Sequence, residues 1–273
     1  MLKQKKNRFF VVLGGILILA IAGFASMSSE TESISEKKIN KKQREILVEE
    51  YEVFDNARFR RIPVALYAPK VDKDSTNTIQ LVIFSHGYGS NYPTNYTNYS
   101  YLTRRLAGLG YWTLSIQHEL IGDSLLPKVG VMQEVRMPFW KRGEENILFV
   151  LNHFKEIHPN LFIKSVDLIG HSNGGDMSVL MAKDYPNLIR KVITLDHLRI
   201  PFPLTFSPQY SSLRSTDKTA DSGVIPSPEM CDSLGIQIIQ LRRITHNEMN
   251  DEGTRRQKKK INGYIQKILE NRL

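Results

Sequence analysis

Cysteine is almost missing from this 273-residue chain, where Cys231 stands alone. One thiol closes no internal disulfide and completes no Cys-rich zinc site. If the protein is exported, its fold must stand without disulfides. Internal repeats and long low-complexity segments are missing too. Hydrophobic residues make up 41% of the chain, enough for a sizeable core, which excludes wholesale disorder. The length suits one large domain or two small ones.

Acid is missing from residues 1–25, which carry Lys3, Lys5, Lys6 and Arg8. These four account for +4 of the formal net charge of +9. An uncharged apolar run over residues 9–25 follows, with Gly23 and Ala25 at the −3 and −1 positions for a cut before Ser26. Basic start, apolar stretch and small residues are the parts of a signal peptide. The run also reaches the lower limit, roughly 17 residues, for a membrane-spanning helix. Cleaved signal and uncleaved anchor both fit. Either places the remainder outside the cytoplasm: secreted or periplasmic if cut, otherwise tethered through membrane contact of residues 9–25. No cysteine near the end of the run offers a lipid attachment point. Residues 26–45 are polar and charged and read as a tether.

A second basic cluster, Arg255, Arg256, Lys258, Lys259 and Lys260, precedes apolar residues at helical spacing, Ile261, Ile265, Ile268 and Leu269. It reads as the solvated face of a closing helix. No aromatic-interleaved basic motif accompanies it, so nucleic acid is not the expected partner.

Residues 50–54 and 62–67 alternate or run apolar around the turn pair Asp55-Asn56, which predicts a hairpin. Pro63 points to an edge strand. Strand and helix patterns then alternate. Strands are expected at residues 81–84, 111–116, 166–169, 192–195, 209–214 and 236–241. Helices are expected at 101–109, 146–154 and 177–184, with a closing helix after the last strand. Such alternation predicts a mostly parallel central sheet with helices on both faces, in one domain over residues 46–273.

The most informative stretch is Gly170-His171-Ser172-Asn173-Gly174, a Gly-x-Ser-x-Gly between a strand and a helix. A nucleophilic serine at a tight strand-to-helix turn projects its hydroxyl above the sheet, and close approach of the backbone explains the glycines. The alternative, an ordinary Gly-rich turn, does not need the flanking strand and helix. With that context the chain resembles the α/β-hydrolase superfamily over nearly all of residues 50–273. Phe84-Ser85-His86-Gly87-Tyr88-Gly89, Leu106-Ala107 before Gly110-Tyr111, and Asp55-x-x-Arg58-x-Arg60-x-Ile62-Pro63 look like its platelet-activating-factor acetylhydrolase and dienelactone-hydrolase-like branch.

The resemblance implies an α/β-hydrolase fold, a base late in the chain, an acid and two oxyanion donors. Among seven histidines, His246 alone lies beyond the last expected strand. The acid stays open. Asp217 follows the later strand, as in most of the superfamily. Asp196 ends the earlier one, as in the branch resembled, and is slightly preferred, with Asp221 third. The expected oxyanion donors are the backbone N–H groups of Asn173 and Tyr88. His171 is expected to pack beside the serine, His86 to shape the Gly87 loop, and His118 and His197 to contact substrate. His153 and His158, on or after a helix away from the site, are expected to be structural or solvent-facing.

Residues 122–140 read as a long loop, and with residues 198–206 they would form an apolar wall over the serine. That wall suits an acyl or lipid-like ester better than a charged one, although Arg199 would suit a carboxylate or phosphate. The leading expectation is a serine hydrolase of carboxylic esters with no metal or organic cofactor. A peptidase or amidase of the same fold, or a silent membrane-tethered binding protein, stand behind it. Oligomeric state is not legible.

Overall fold

The computed structural model describes residues 45–70 and 77–273. The signal or anchor reading of residues 1–25 and nearly all of the tether lie outside them. Eight strands form one sheet in the order β1-β2-β4-β3-β5-β6-β7-β8. They are β1 (Ile46–Asp55), β2 (Arg60–Pro69), β3 (Thr78–Ser85), β4 (Trp112–Ile116), β5 (Phe162–His171), β6 (Lys191–Leu195), β7 (Gln209–Arg214) and β8 (Gln237–Gln240). β2 is antiparallel to both β1 and β4, whereas every other pairing is parallel.

The helices are α1 (Ser100–Leu109), the single turn α2 (Met132–Val135), α3 (Met137–Ile157), α4 (Asn173–Asp184), α5 (Pro228–Leu234) and α6 (Arg255–Leu269). Neighbouring side chains of a strand face opposite sides, so a strand covered on both faces is apolar throughout. In β3, Leu81 and Ile83 join the cluster holding Trp140, Ile147 and Met177 of α3 and α4. Val82 and Phe84 join the opposite cluster with Leu102 of α1 and Ile261 of α6.

The hairpin forms as expected, with Asp55 Oδ1 accepting the N–H groups of Ala57 and Arg58 at 3.0 and 3.2 Å. Pro63, however, lies on an internal strand. Its carbonyl accepts from Gln117 N at 2.9 Å, so its missing donor faces the end of β4, where the ladder stops. The helix expected at 146–154 begins nine residues earlier, because Pro138 occupies its first turn, where no N–H is needed. The expected loop over 122–140 is therefore shorter and contains α2. The basic cluster lies on α6, where Arg255, Arg256 and Lys259 are exposed.

The parallel strands deliver Ser85, His171, Leu195 and Arg214 to one edge of the sheet. Crevices at such carboxyl ends are where open α/β sheets bind ligands.

Candidate active site

Ser172 sits between β5 and α4 with φ 51° and ψ −119°, a conformation rarely held by a residue with a side chain. The flanking glycines are required by contact. A Cβ on Gly170 would come within 2.2 Å of Gly174 O, and one on Gly174 within 2.3 Å of Ser85 O. The turn is thus compressed between its own helix and β3, and the serine hydroxyl is left at the sheet edge.

His246 follows β8 at the start of a 3-10 turn closed by a Thr245–Glu248 capping box. Its Nδ1 lies 2.6 Å from Asp196 Oδ2 and its Nε2 lies 2.9 Å from Ser172 Oγ. A carboxylate only accepts, so the ring proton belongs on Nδ1 and Nε2 accepts the serine O–H. The three side chains come from the ends of three different strands.

Asp196 directly follows Leu195, which is in register with His171. Its own φ is 57°, which turns the carboxylate back toward His246. Burial pushes this carboxyl up. The His246 hydrogen bond, the Arg214 guanidinium 2.9 Å from Oδ1 and the Ser215 N–H at 3.1 Å outweigh it and hold the pKa below the usual range. Asp217 instead accepts the backbone N–H of His246 at 2.7 Å. Asp221 is farther away, ion-paired with Arg199 and hydrogen-bonded to Gln133 at 3.0 Å.

The N–H groups of Tyr88 and Asn173 find no acceptor among the described residues, and both residues line a cavity with Ser172. Asn173 is the first residue of α4, where a free N–H is expected. Its side chain is fixed at both ends. Trp140 Nε1 donates to its Oδ1 at 2.8 Å, and its Nδ2 donates to Glu119 Oε1 at 2.9 Å. Glu119 is almost wholly buried, and burial raises its pKa to about 7.

Sequence reasoning missed Glu119, Trp140 and Arg214, since nothing in their local pattern marks them. The Asp55-x-x-Arg58-x-Arg60 motif does leave a signal. Arg60 grips Asp123 with both terminal nitrogens, at 2.8 and 2.7 Å, and donates to His118 O at 2.7 Å. It pins the segment after β4 against the hairpin.

His171 packs beside the serine, with its Nδ1 2.7 Å from the Tyr99 hydroxyl and its ring centroid 4.7 Å from that of His246. His86 shapes its loop: Nδ1–H donates to Gly87 O at 2.8 Å, and Nε2 accepts from His118 N at 3.1 Å. His118 and His197 do not reach the substrate space. Both are buried, because α3 and Phe202 close over them, and burial pushes both pKa values down. His153 stacks on Phe149 and His158 packs at a tilt against Phe154, both half-buried and away from the site.

Two cavities meet at Ser172 and Tyr88. One, of about 270 Å³, is lined by His246, by the amides of Asn95, Asn98, Asn247 and Asn250, and by the carboxylate of Glu252. The other, of about 200 Å³, is lined by Asn173, Leu126 and Leu198, and by Lys128, Arg136 and Arg199. The expected apolar wall is thus present in part, with three cations set into it. Leu125, Val129, Val131, Leu204 and Phe206 stand exposed on the two segments that were to form the wall.

No sequence family and no curated protein matches the chain. Solved structures do. A fungal esterase from Rhizomucor miehei superposes with a TM-score of 0.61 at 12% identity, over 92% of this chain and 90% of its own. An α/β serine hydrolase without a lid from Xanthomonas campestris gives 0.54 at 13%, over 83% and 95%. A hyperthermophilic esterase from Pyrobaculum calidifontis gives 0.55 at 13%, over 90% and 89%. With its single reversed strand, its serine at the β5–α4 turn and these neighbours, the chain has the α/β-hydrolase fold.

Proposed function

We propose that the protein is a serine hydrolase that cleaves carboxylic esters through an acyl-enzyme on Ser172. One observation carries this reading: the unbroken line from Ser172 Oγ through His246 to Asp196, opening on two cavities. His246 Nε2 takes the serine proton as Oγ attacks the ester carbonyl carbon. The N–H groups of Tyr88 and Asn173 meet the oxyanion. The alcohol leaves with the proton from His246. Water then attacks the acyl carbon, with His246 again taking a proton, and the acid departs. Asp196 holds the ring in the tautomer that each step needs. The esterase neighbours agree with this reading at the level of the fold, and the sequence motifs support membership of the acetylhydrolase and dienelactone-hydrolase-like branch.

A fluorophosphonate probe tests it. The full chain should be labelled and the Ser172→Ala variant should not. A panel of p-nitrophenyl esters should be hydrolysed at short to medium acyl lengths. Unlabelled, well-folded protein together with background rates at every length would sink the proposal. We also read residues 9–25 as the export signal or anchor. Fractionation should then find the hydrolase outside the cytoplasm, and recovery in the soluble cytoplasm would refute that part.

A further inference from the structure

The cavities on the two sides of Ser172 differ in charge, and the chemistry assigns each to one half of an ester. The leaving oxygen takes its proton from His246 Nε2, so the alcohol must lie on the His246 side. That side is the cavity lined by Asn247, Asn250 and one acid, Glu252. The carbonyl oxygen faces the N–H groups of Tyr88 and Asn173. The acyl substituent is left with the second cavity, which those two residues also line.

Three cations line that cavity: Lys128, Arg136 and Arg199. Two acids offset them. Asp221 is spent on Arg199 and Gln133. Asp176 lines the cavity too, but it is buried, takes the N–H groups of Arg199 and Ile200 at 2.8 and 2.9 Å, and is raised by burial to about 7. Arg136 has no ion-pair partner among the described residues. Its one hydrogen bond runs from Nε to Pro127 O at 2.9 Å, which leaves both terminal nitrogens without a protein acceptor. Burial and the Arg199 charge both press its pKa down, with Asp176 and Asp221 opposing. A half-buried guanidinium costs desolvation that a ligand anion offsets, and its planar fork matches a carboxylate. Leu126 and Leu198 supply apolar wall, and 200 Å³ holds about seven water-sized groups, a short chain with a polar end.

We infer that the acyl group carries its own carboxylate, held by Arg136, so that the preferred substrates are half-esters of short dicarboxylic acids. This rests on the serine-hydrolase reading above. The products would be a dicarboxylate and a polar alcohol.

The test compares monoethyl glutarate with ethyl valerate, which match in acyl length, by acid release from the full chain at low salt. The half-ester should have the higher kcat/KM by at least tenfold. Arg136→Gln should lower its kcat/KM at least tenfold more than that of ethyl valerate, and Arg136→Lys should recover part of the difference. Should Arg136→Gln fail to fold, the wild-type protein still decides: glutarate should protect Ser172 from the fluorophosphonate at lower concentration than valerate does. A chain that is labelled, turns over ethyl valerate and disfavours the half-ester overturns the inference alone. Equal losses on both esters in Arg136→Gln overturn it too. A chain that is neither labelled nor active on either ester overturns the hydrolase reading with it.

Discussion

Asp217 accepts the backbone N–H of His246 at 2.7 Å, while the ring of the same histidine is held by a different carboxylate, Asp196, at 2.6 Å. Two acids therefore serve one base, one through its main chain and one through its imidazole. Their substitutions should separate. Asp196→Asn can no longer fix the proton on Nδ1, and kcat should fall by about 10³–10⁴. Asp217→Asn keeps an acceptor oxygen for the N–H, and kcat should stay within about tenfold of wild type, since one neutral hydrogen bond is worth about 1 kcal/mol. Steady-state kinetics on p-nitrophenyl butyrate reads both. Comparable losses in the two variants would break the assignment.

Arg214 supports the same acid from the other side, 2.9 Å from Asp196 Oδ1, and also donates to His197 O at 2.7 Å. Arg214→Met leaves Asp196 buried without its cation. Urea unfolding should show a loss of about 3–5 kcal/mol at pH 7. The sign with pH follows from the lowered pKa of Asp196. Its ionised form contributes stability above the unfolded carboxyl value, about 3.9, and that contribution is lost as acid titrates the folded group. The deficit in Arg214→Met should therefore be full at neutral pH and shrink toward the acid end. A deficit that does not vary with pH would mean that packing, not charge, dominates.

Glu119 titrates in the opposite sense. Burial raises its pKa from 4.5 to about 7, so its ionised form opposes folding. Its share of stability is fully present below about 4.5 and declines as pH rises through 7. Glu119→Gln keeps an oxygen for Asn173 Nδ2 and removes the ionisation. The variant should gain on wild type by about 3 kcal/mol between pH 4.5 and 7.5. Asp176 imposes a slope of the same sign, which cancels in the difference. Denaturant midpoints across that window measure it. Glu119→Leu, which leaves Asn173 Nδ2 unpaired, should lose both stability and turnover.

Two glycines should respond to alanine with opposite signs. A Cβ on Gly174 meets backbone, Ser85 O at 2.3 Å and His86 O at 2.4 Å, and neither can yield without moving β3. Gly174→Ala should lose about 3 kcal/mol and most activity. Gly263 is exposed inside α6, and a Cβ placed on it would have nothing within 4 Å. Gly263→Ala should gain about 0.5–1 kcal/mol, from helix propensity alone. Thermal unfolding of the pair distinguishes local crowding from a general intolerance of change.

The strands were legible because burial on both faces writes itself as short apolar runs, such as residues 81–84. The serine turn was legible because its glycines answer to a local contact, Gly170 against Gly174. The choice between Asp196 and Asp217 was not. Both are loop aspartates after a strand, and what separates them is that β6 lies beside β5 with Leu195 opposite His171. Strand order is a property of the whole sheet, and no local pattern carries it. Pro63 misled for a related reason. A proline cannot pair along a ladder, but it can sit where the ladder ends, and the end of β4 is fixed by tertiary contacts. His118 and His197 were misplaced because the helix bearing Trp140 buries the first and the ring of Phe202, folded back along the same loop, covers the second.

The candidate site draws on residues 74 apart for Ser172 and His246, 50 apart for His246 and Asp196, and 72 apart for Tyr99 and His171. Parallel strands admit no short hairpin closures, so each of these encounters waits on a crossover and on the loop entropy it consumes. The triad lies within residues 172–246, but the Tyr88 donor and the β3 strand beneath Gly174 come from the first half of the chain. On refolding, secondary structure should return early, whereas turnover should return only with the last strand to join. Activity in this protein is a reporter of the finished sheet.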